Sequence, residues 1–245
     1  MSQSHLNLSQ PAKSVPEMQV RGVIDLRAYA AGATPTGDWL TGRGTPAFAD
    51  DSASVVALAP VGEGRVENLP GDEFLILLSG TLIVESARGR TVINAGRSAV
   101  LPAGLSFGWR AAAGTKAIVV ACPAAVGTAK DTVPVDENAS LQPSNPPLAD
   151  LLVGPTPSCR NHSDYRSTNG EFVCGTWDST PYHRRPMLYR HIELMHLLDG
   201  SVTFEDAAGS VTFSKGDVFL ATRGAQCAWI SHVHVKKVYA IHRPA

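Results

Sequence analysis

The sequence predicts an all-β protein built from two barrels in tandem, and three observations carry that expectation. Residues 72–122 recur without a gap as residues 192–242, at a constant offset of 120. Short β-rich runs with turn residues at their ends fill each copy. No helical periodicity persists for more than a few residues in either copy.

The elements follow in chain order. In the first copy the runs are "FLILLS" (74–79), "TLIVES" (81–86), "TVIN" (91–94), "SAVLP" (98–102) and "AIVVAC" (117–122). In the second they are "LMHLLD" (194–199), "SVTFED" (201–206), "VTFS" (211–214), "DVFLAT" (217–222) and "KVYAIH" (237–242). "ARGR" and "AAGS" read as hairpin turns. Many short, evenly spaced strands indicate an antiparallel barrel or sandwich, and two copies indicate two of them. Of the 51 aligned positions, 11 are identical. Ordinary composition would give roughly three or four. Four of the identities are glycines: Gly80/Gly200, Gly89/Gly209, Gly96/Gly216 and Gly104/Gly224. Glycine marks backbone that needs positive φ or close approach. Upstream, "DWLTG" (38–42) echoes "DLLVG" (150–154) at a shifted offset.

The organisation read from this pattern is an N-terminal arm (1–37), an N-terminal barrel (38–123), a linker rich in Pro, Ser, Asn and Asp (124–160) and a C-terminal barrel (161–245). The arm and linker are candidates to add strands to exposed sheet edges, and a homodimer is expected. Of the 245 residues 44% are hydrophobic and 18% charged, with a formal net charge of -1. A packed core is expected rather than disorder. The charge provides no field to recruit nucleic acid or an anionic membrane. No apolar run is long enough to span a bilayer. The N-terminus has no apolar signal core, and the four cysteines form no CxxC pair. The reading is a cytoplasmic protein with reduced thiols.

These residues resemble the cupin family. Its first motif closes with Glu, six residues and Gly, as in Glu73…Gly80 and Glu193…Gly200. Its second is Gly, five residues, Pro-x-Gly, two residues and His. This chain has Gly96…Pro102-Ala-Gly104…Phe107 and Gly216…Thr222-Arg-Gly224…Cys227. Trp109/Trp229, Lys116/Lys236 and "GTWDSTPYHRRP" (175–186) are similar to ethanolamine-utilisation and (S)-ureidoglycine aminohydrolase-like cupins. The resemblance covers about 55–122 and 170–242. It implies a duplicated jelly-roll (double-stranded β-helix) barrel. It leaves function open, because cupins host many chemistries.

The resemblance implies four metal ligands at the barrel mouth: a His-x-His pair, the Glu of the first motif and the His of the second. In the second copy those positions hold Met187, Tyr189, Glu193 and Cys227; in the first, Leu69, Glu73 and Phe107, with Glu67 further out. No cofactor is therefore expected. A rearranged divalent-metal site of His183, His191, Glu193 and Cys227 is the alternative, chemically suited to Zn or Fe. "HVH" (232–234) falls in the turn before the last strand and reads as solvated. His196 lies on the face opposite Glu193. Arg184, Arg185 and Arg190 could clamp an anion. Cys227 is an inert buried thiol or, with a lowered pKa, a nucleophile.

The first copy, with Leu75, Leu77 and Phe107 at its heart, reads as a filled core. The second is expected to hold a small-molecule site lined by His183, Arg185, Tyr189, Glu193, Met195, Cys227, Trp229 and Lys236. Charge neutralisation of the two glutamates is assigned to the lysines shared by both copies, Lys236 for Glu193 and Lys116 for Glu73. The leading functional expectation is a small-molecule-binding bicupin of amine, amino-acid or ureide catabolism. The alternatives are a metal-dependent aminohydrolase, isomerase or dioxygenase, and a non-catalytic regulatory barrel. Whether it is an enzyme stays open at this stage.

Overall fold

The computed structural model describes residues 20–244. It is nearly all β, and the expected fold class is the one observed: two barrels, each made of a large and a small sheet, antiparallel except where Pro35–Thr36 runs parallel to Ser54–Pro60. In the first, the large sheet orders Val133–Pro134, Ser98–Leu101, Asp72–Ser79, Lys116–Cys122, Ser54–Pro60 and Pro35–Thr36, with Phe48–Ala49 also on Ser54–Pro60. Facing it are Gly62–Val66, Phe107–Ala111, Thr81–Ser86 and Arg90–Asn94. In the second, the large sheet orders Val23–Asp25, Val218–Ala221, Ile192–Asp199, Val235–His242, Phe172–Ser179, Cys159–Arg166 and Gln142–Ser144. Its partner is Leu152–Val153, Tyr182–Leu188, Gln226–Ser231, Ser201–Asp206 and Gly209–Ser214.

The repeat reproduces its turns bond for bond. Gly96 N donates to Leu77 O at 2.7 Å, and Gly216 N to Leu197 O at 2.8 Å. Gly104 N donates to Leu69 O and Gly224 N to Tyr189 O, each at 2.8 Å. Gly80 and Gly200 turn with φ of 77° and 78°. A Cβ there would meet Thr115 Oγ1 at 2.5 Å or His234 O at 2.0 Å, so only glycine fits.

Strand alternation divides the apolar residues among three cores. Leu75, Leu77 and Phe107 fill the first barrel. Met195, Leu197, Phe204 and Phe219 fill part of the second. Between the barrels, Phe74, Ile76, Ile118 and Val120 pack with Leu194, Leu220, Val238 and Ala240 in one continuous core. "FLILL" is apolar at every position because that strand is buried on both faces. Full burial of such a side chain is worth about 1.5–3 kcal/mol, so the shared core binds the two barrels into one unit.

Arm and linker residues do add strands. Val23–Asp25 pairs with Val218–Ala221 of the second barrel, and Val133–Pro134 with Ser98–Leu101 of the first. After Val23–Asp25, Asp25 caps a short helix, Leu26–Ala30, by accepting from Arg27 N and Ala28 N. Among the described residues no helix is long and apolar enough to cross a membrane.

Candidate functional site

The two barrels differ at their centres. In the first, Trp39 of "DWLTG" is 2% exposed and lies inside the barrel. Its ring meets Phe107 edge-on at 5.4 Å and Trp109 at 6.1 Å. Trp39 Nε1 donates to Glu73 Oε2 at 3.1 Å, and Arg43 Nη2 donates to Glu73 Oε1 at 2.7 Å. The filled core expected from Leu75, Leu77 and Phe107 is present, with the indole as its plug. In the second barrel the matching "DLLVG" has Leu151 at that place, half-buried beside the strand Leu152–Val153 that joins the small sheet.

The second barrel holds a cavity of about 650 Å³. Its inner wall comprises Trp177, Tyr182, Arg184, Met187, Tyr189, His191, Glu193, Trp229, Lys237 and Tyr239, with Arg166, Glu171 and Arg243 at the rim. Glu193 is the central anion. Its Oε1 accepts from Lys237 Nζ at 2.7 Å, and its Oε2 lies 3.5 Å from His191 Nε2. Burial alone would raise its pKa; Lys237 and His191 reverse that and hold it at about 2. Lys237 Nζ also lies 3.1 Å from Met195 Sδ, 4.7 Å from the Trp177 ring centre and 4.9 Å from that of Trp229. Tyr182 stacks on Trp229 at 5.7 Å.

Arg184 is 4% exposed. Its Nη2 donates to Tyr189 Oη at 3.2 Å, and its guanidinium carbon sits 5.4 Å from the Tyr189 ring centre. Among the described residues its buried Nη1 has no hydrogen-bond partner. Burial raises the pKa of both Tyr182 and Tyr189, leaving neutral phenols at physiological pH. The inner cavity therefore carries Arg184 and Lys237 against Glu193, an excess of positive charge.

Several expected placements need correction. The glutamate partners are not the shared lysines. Glu193 pairs with Ile241 across the ladder, so 241, 239 and 237 share its face, and Lys236 points the other way. Lys236 lines a separate groove beside Glu137 and His196. Lys116 Nζ instead caps the short helix at Ala30 O (3.3 Å) and Ala31 O (3.0 Å), favourable for a cation at a helix C-terminus. His183 and Arg185 also face outward. The strand Tyr182–Leu188 shifts register between Arg184 and Met187, at Pro186. The bulge puts Tyr182 and Arg184 on the same side as Met187 and Tyr189. His183 and Arg185 line a larger outer groove of about 1160 Å³ with Arg21, Asp206 and Arg223. There Asp206 accepts from the backbone amide of Arg21 at 2.8 Å, Arg185 Nη1 donates to Asp150 O at 2.9 Å, and Arg223 pairs with Asp50 at 2.8 Å. Arg223 of the groove is half-buried at the surface, whereas Arg184 is 4% exposed inside the barrel, which makes the barrel cavity the stronger binding candidate.

The alternative metal set does not converge. Among the described residues no group of three or more His, Cys, Asp or Glu could hold a metal ion. His183 is outside, an ammonium already occupies Glu193, and Cys227 belongs to the packed core. The donor set does not fit a divalent cation. Burial raises the Cys227 pKa to about 11 against the pull of Arg184, which makes it a neutral thiol. Residues 232–234 form the turn, as expected, but His234 is paired rather than simply solvated, its Nε2 lying 3.1 Å from Asp178 Oδ2. His196 is buried on the face opposite Glu193, as expected.

The sequence matches the EutQ-like cupin domain model over residues 166–239. A protein of unknown function of the DUF861 family, from Pseudomonas syringae pv. tomato, is 30% identical over 80% of this chain and 85% of its own, with a TM-score of 0.76. A cupin 2 conserved barrel domain protein from Leptotrichia buccalis shares the fold at 12% identity and a TM-score of 0.61, covering 93% of this chain and 99% of that one. A single-residue mutant of the salicylate 1,2-dioxygenase from Pseudoaminobacter salicylatoxidans does so at 10% and 0.54, covering 97% and 86%. No curated protein matches the sequence. Fold and sequence together define a chain of two cupin-type barrels. It belongs to the cupin family.

Proposed function

We propose that the second barrel binds a small organic carboxylate without the help of a metal. The observation that carries this reading is Arg184: a buried guanidinium, facing the cavity, with one nitrogen unpartnered. Leaving such a donor dry and unpaired is costly, whereas a carboxylate would complete it with a charge-assisted bond. The aromatic rings of Trp177, Tyr182, Tyr189 and Trp229 offer flat walls for the rest of the ligand. The EutQ-like match and the resemblance to ureidoglycine aminohydrolase-like cupins support acids of amine, amino-acid or ureide breakdown as the ligand class.

Thermal-shift screening of small ureido and aromatic acids against their uncharged amides tests the reading. The acids should raise the melting temperature in a saturable way and the amides should not. Equal responses from both series would refute it.

A further inference from the structure

Lys237 sits where proteins that capture free organic cations place the captured group. Its Nζ lies against two nearly perpendicular indoles, Trp177 and Trp229, whose planes meet at 85°. A carboxylate, Glu193, completes the enclosure at 2.7 Å. An ammonium held by aromatic faces and one anion is the arrangement used to recognise amines and quaternary ammonium groups. Here the occupant is tethered to the chain and 6% exposed. The first barrel is built differently: Ala117 stands at the position of Lys237, Trp39 fills the interior, and Glu73 is paired by Arg43 from a loop.

We propose that Lys237 is a built-in cation that fills an aromatic–carboxylate cage and thereby sets the ligand class of the second barrel, excluding free amines and leaving anions. The proposal rests on reading the cavity as a carboxylate site. The cage itself stands on the distances around Nζ. While Lys237 is present, an incoming amine would have to displace a covalently attached competitor of effectively high local concentration. With the side chain cut back to alanine, Glu193, Trp177 and Trp229 would face a vacancy shaped like the end of a lysine, and a primary alkylammonium ion is its natural occupant. With methionine, the neutral thioether chain would fill the same space and leave no room.

The test compares wild type, Lys237→Ala and Lys237→Met titrated with n-butylammonium chloride against sodium chloride at equal ionic strength. Melting temperature and tryptophan fluorescence are the readouts. Lys237→Ala should gain saturable butylammonium binding with a rise in melting temperature and a change in fluorescence. Wild type and Lys237→Met should respond as they do to sodium chloride. Saturable binding by wild type, or no difference between the Ala and Met variants, would overturn the proposal. If Lys237→Ala does not fold in sodium chloride, refolding is attempted in butylammonium. Folding there supports the cage, and folding in neither salt overturns it. The two readings fail separately. Gain of amine binding by Lys237→Ala, with no carboxylate bound by wild type, counts against the function proposed above and for the cage. The reverse result counts against the cage alone.

Discussion

Lys237 Nζ and Glu193 Oε1 are 2.7 Å apart inside the second barrel, and both side chains are at most 11% exposed. Their pairing accounts for a carboxylate that persists without metal ligands around it. Removing one partner of a buried pair strands the other and costs about 3–5 kcal/mol. Lys237→Met or Glu193→Leu alone should lower stability by about that much in urea unfolding. The double variant should recover most of the loss, because two apolar side chains then face each other. Additive losses would show that the two residues are not coupled.

Trp39 plugs the first barrel and donates to Glu73. Trp39→Ala should cost about 3–5 kcal/mol, from the cavity left behind and the unsatisfied Glu73 oxygen. It should leave carboxylate binding by the second barrel intact, which calorimetry on the folded variant would establish. Loss of binding in a folded Trp39→Ala protein would place the site in the wrong barrel.

His196 is buried, and its pKa is pushed down from 6.5 to about 4, first by burial and then by Arg27 and Arg97. The unfolded chain therefore takes up this proton before the native state does. The contribution is complete above pH 6.5 and is lost as pH falls from about 6.5 towards 4, on the order of 3 kcal/mol in all. His242, also shifted down by burial, titrates in the same direction. The difference between wild type and His196→Gln isolates the His196 part. A His196→Gln protein that loses stability as steeply as wild type across that window would contradict the assignment.

All four cysteines are free and buried, and burial raises the pKa of each. Native protein treated with iodoacetamide at neutral pH should show no adducts by mass spectrometry, and Cys227→Ala should keep its ligand affinity. Rapid alkylation of Cys227 would revive its reading as a nucleophile.

A homodimer remains the expected assembly. Val153 and Leu188 are 44% and 51% exposed on adjacent strands of the small sheet, and Leu148 is 69% exposed just before them. Light scattering at micromolar concentration should give twice the chain mass, and a monodisperse monomer would refute this.

The fold was legible because duplication repeats glycines and strand lengths that backbone geometry demands. The site was legible only in part. Tyr189, Glu193 and Trp229 line the cavity at the places strand alternation predicts. Alternation fails across Pro186, where the bulge consumes a residue and substitutes Arg184 for His183 and Arg185. Pro186 itself was the available signal, since proline within a strand marks an edge or a bulge. Lys237 was missed for a different reason. Identity between the copies singled out Lys236, but identical residues hold what both barrels need, whereas the cavity exists in one. Trp39 stood in plain view within "DWLTG", yet nothing local shows a loop tryptophan entering a barrel.

The most direct measurement is a crystal structure of the protein with the best acid from the thermal-shift series. The ligand carboxylate should lie within hydrogen-bond distance of Arg184 Nη1 in the second barrel, with Lys237 still on Glu193. A carboxylate bound in the outer groove beside His183 and Arg185, with Arg184 Nη1 left unpaired, would contradict it.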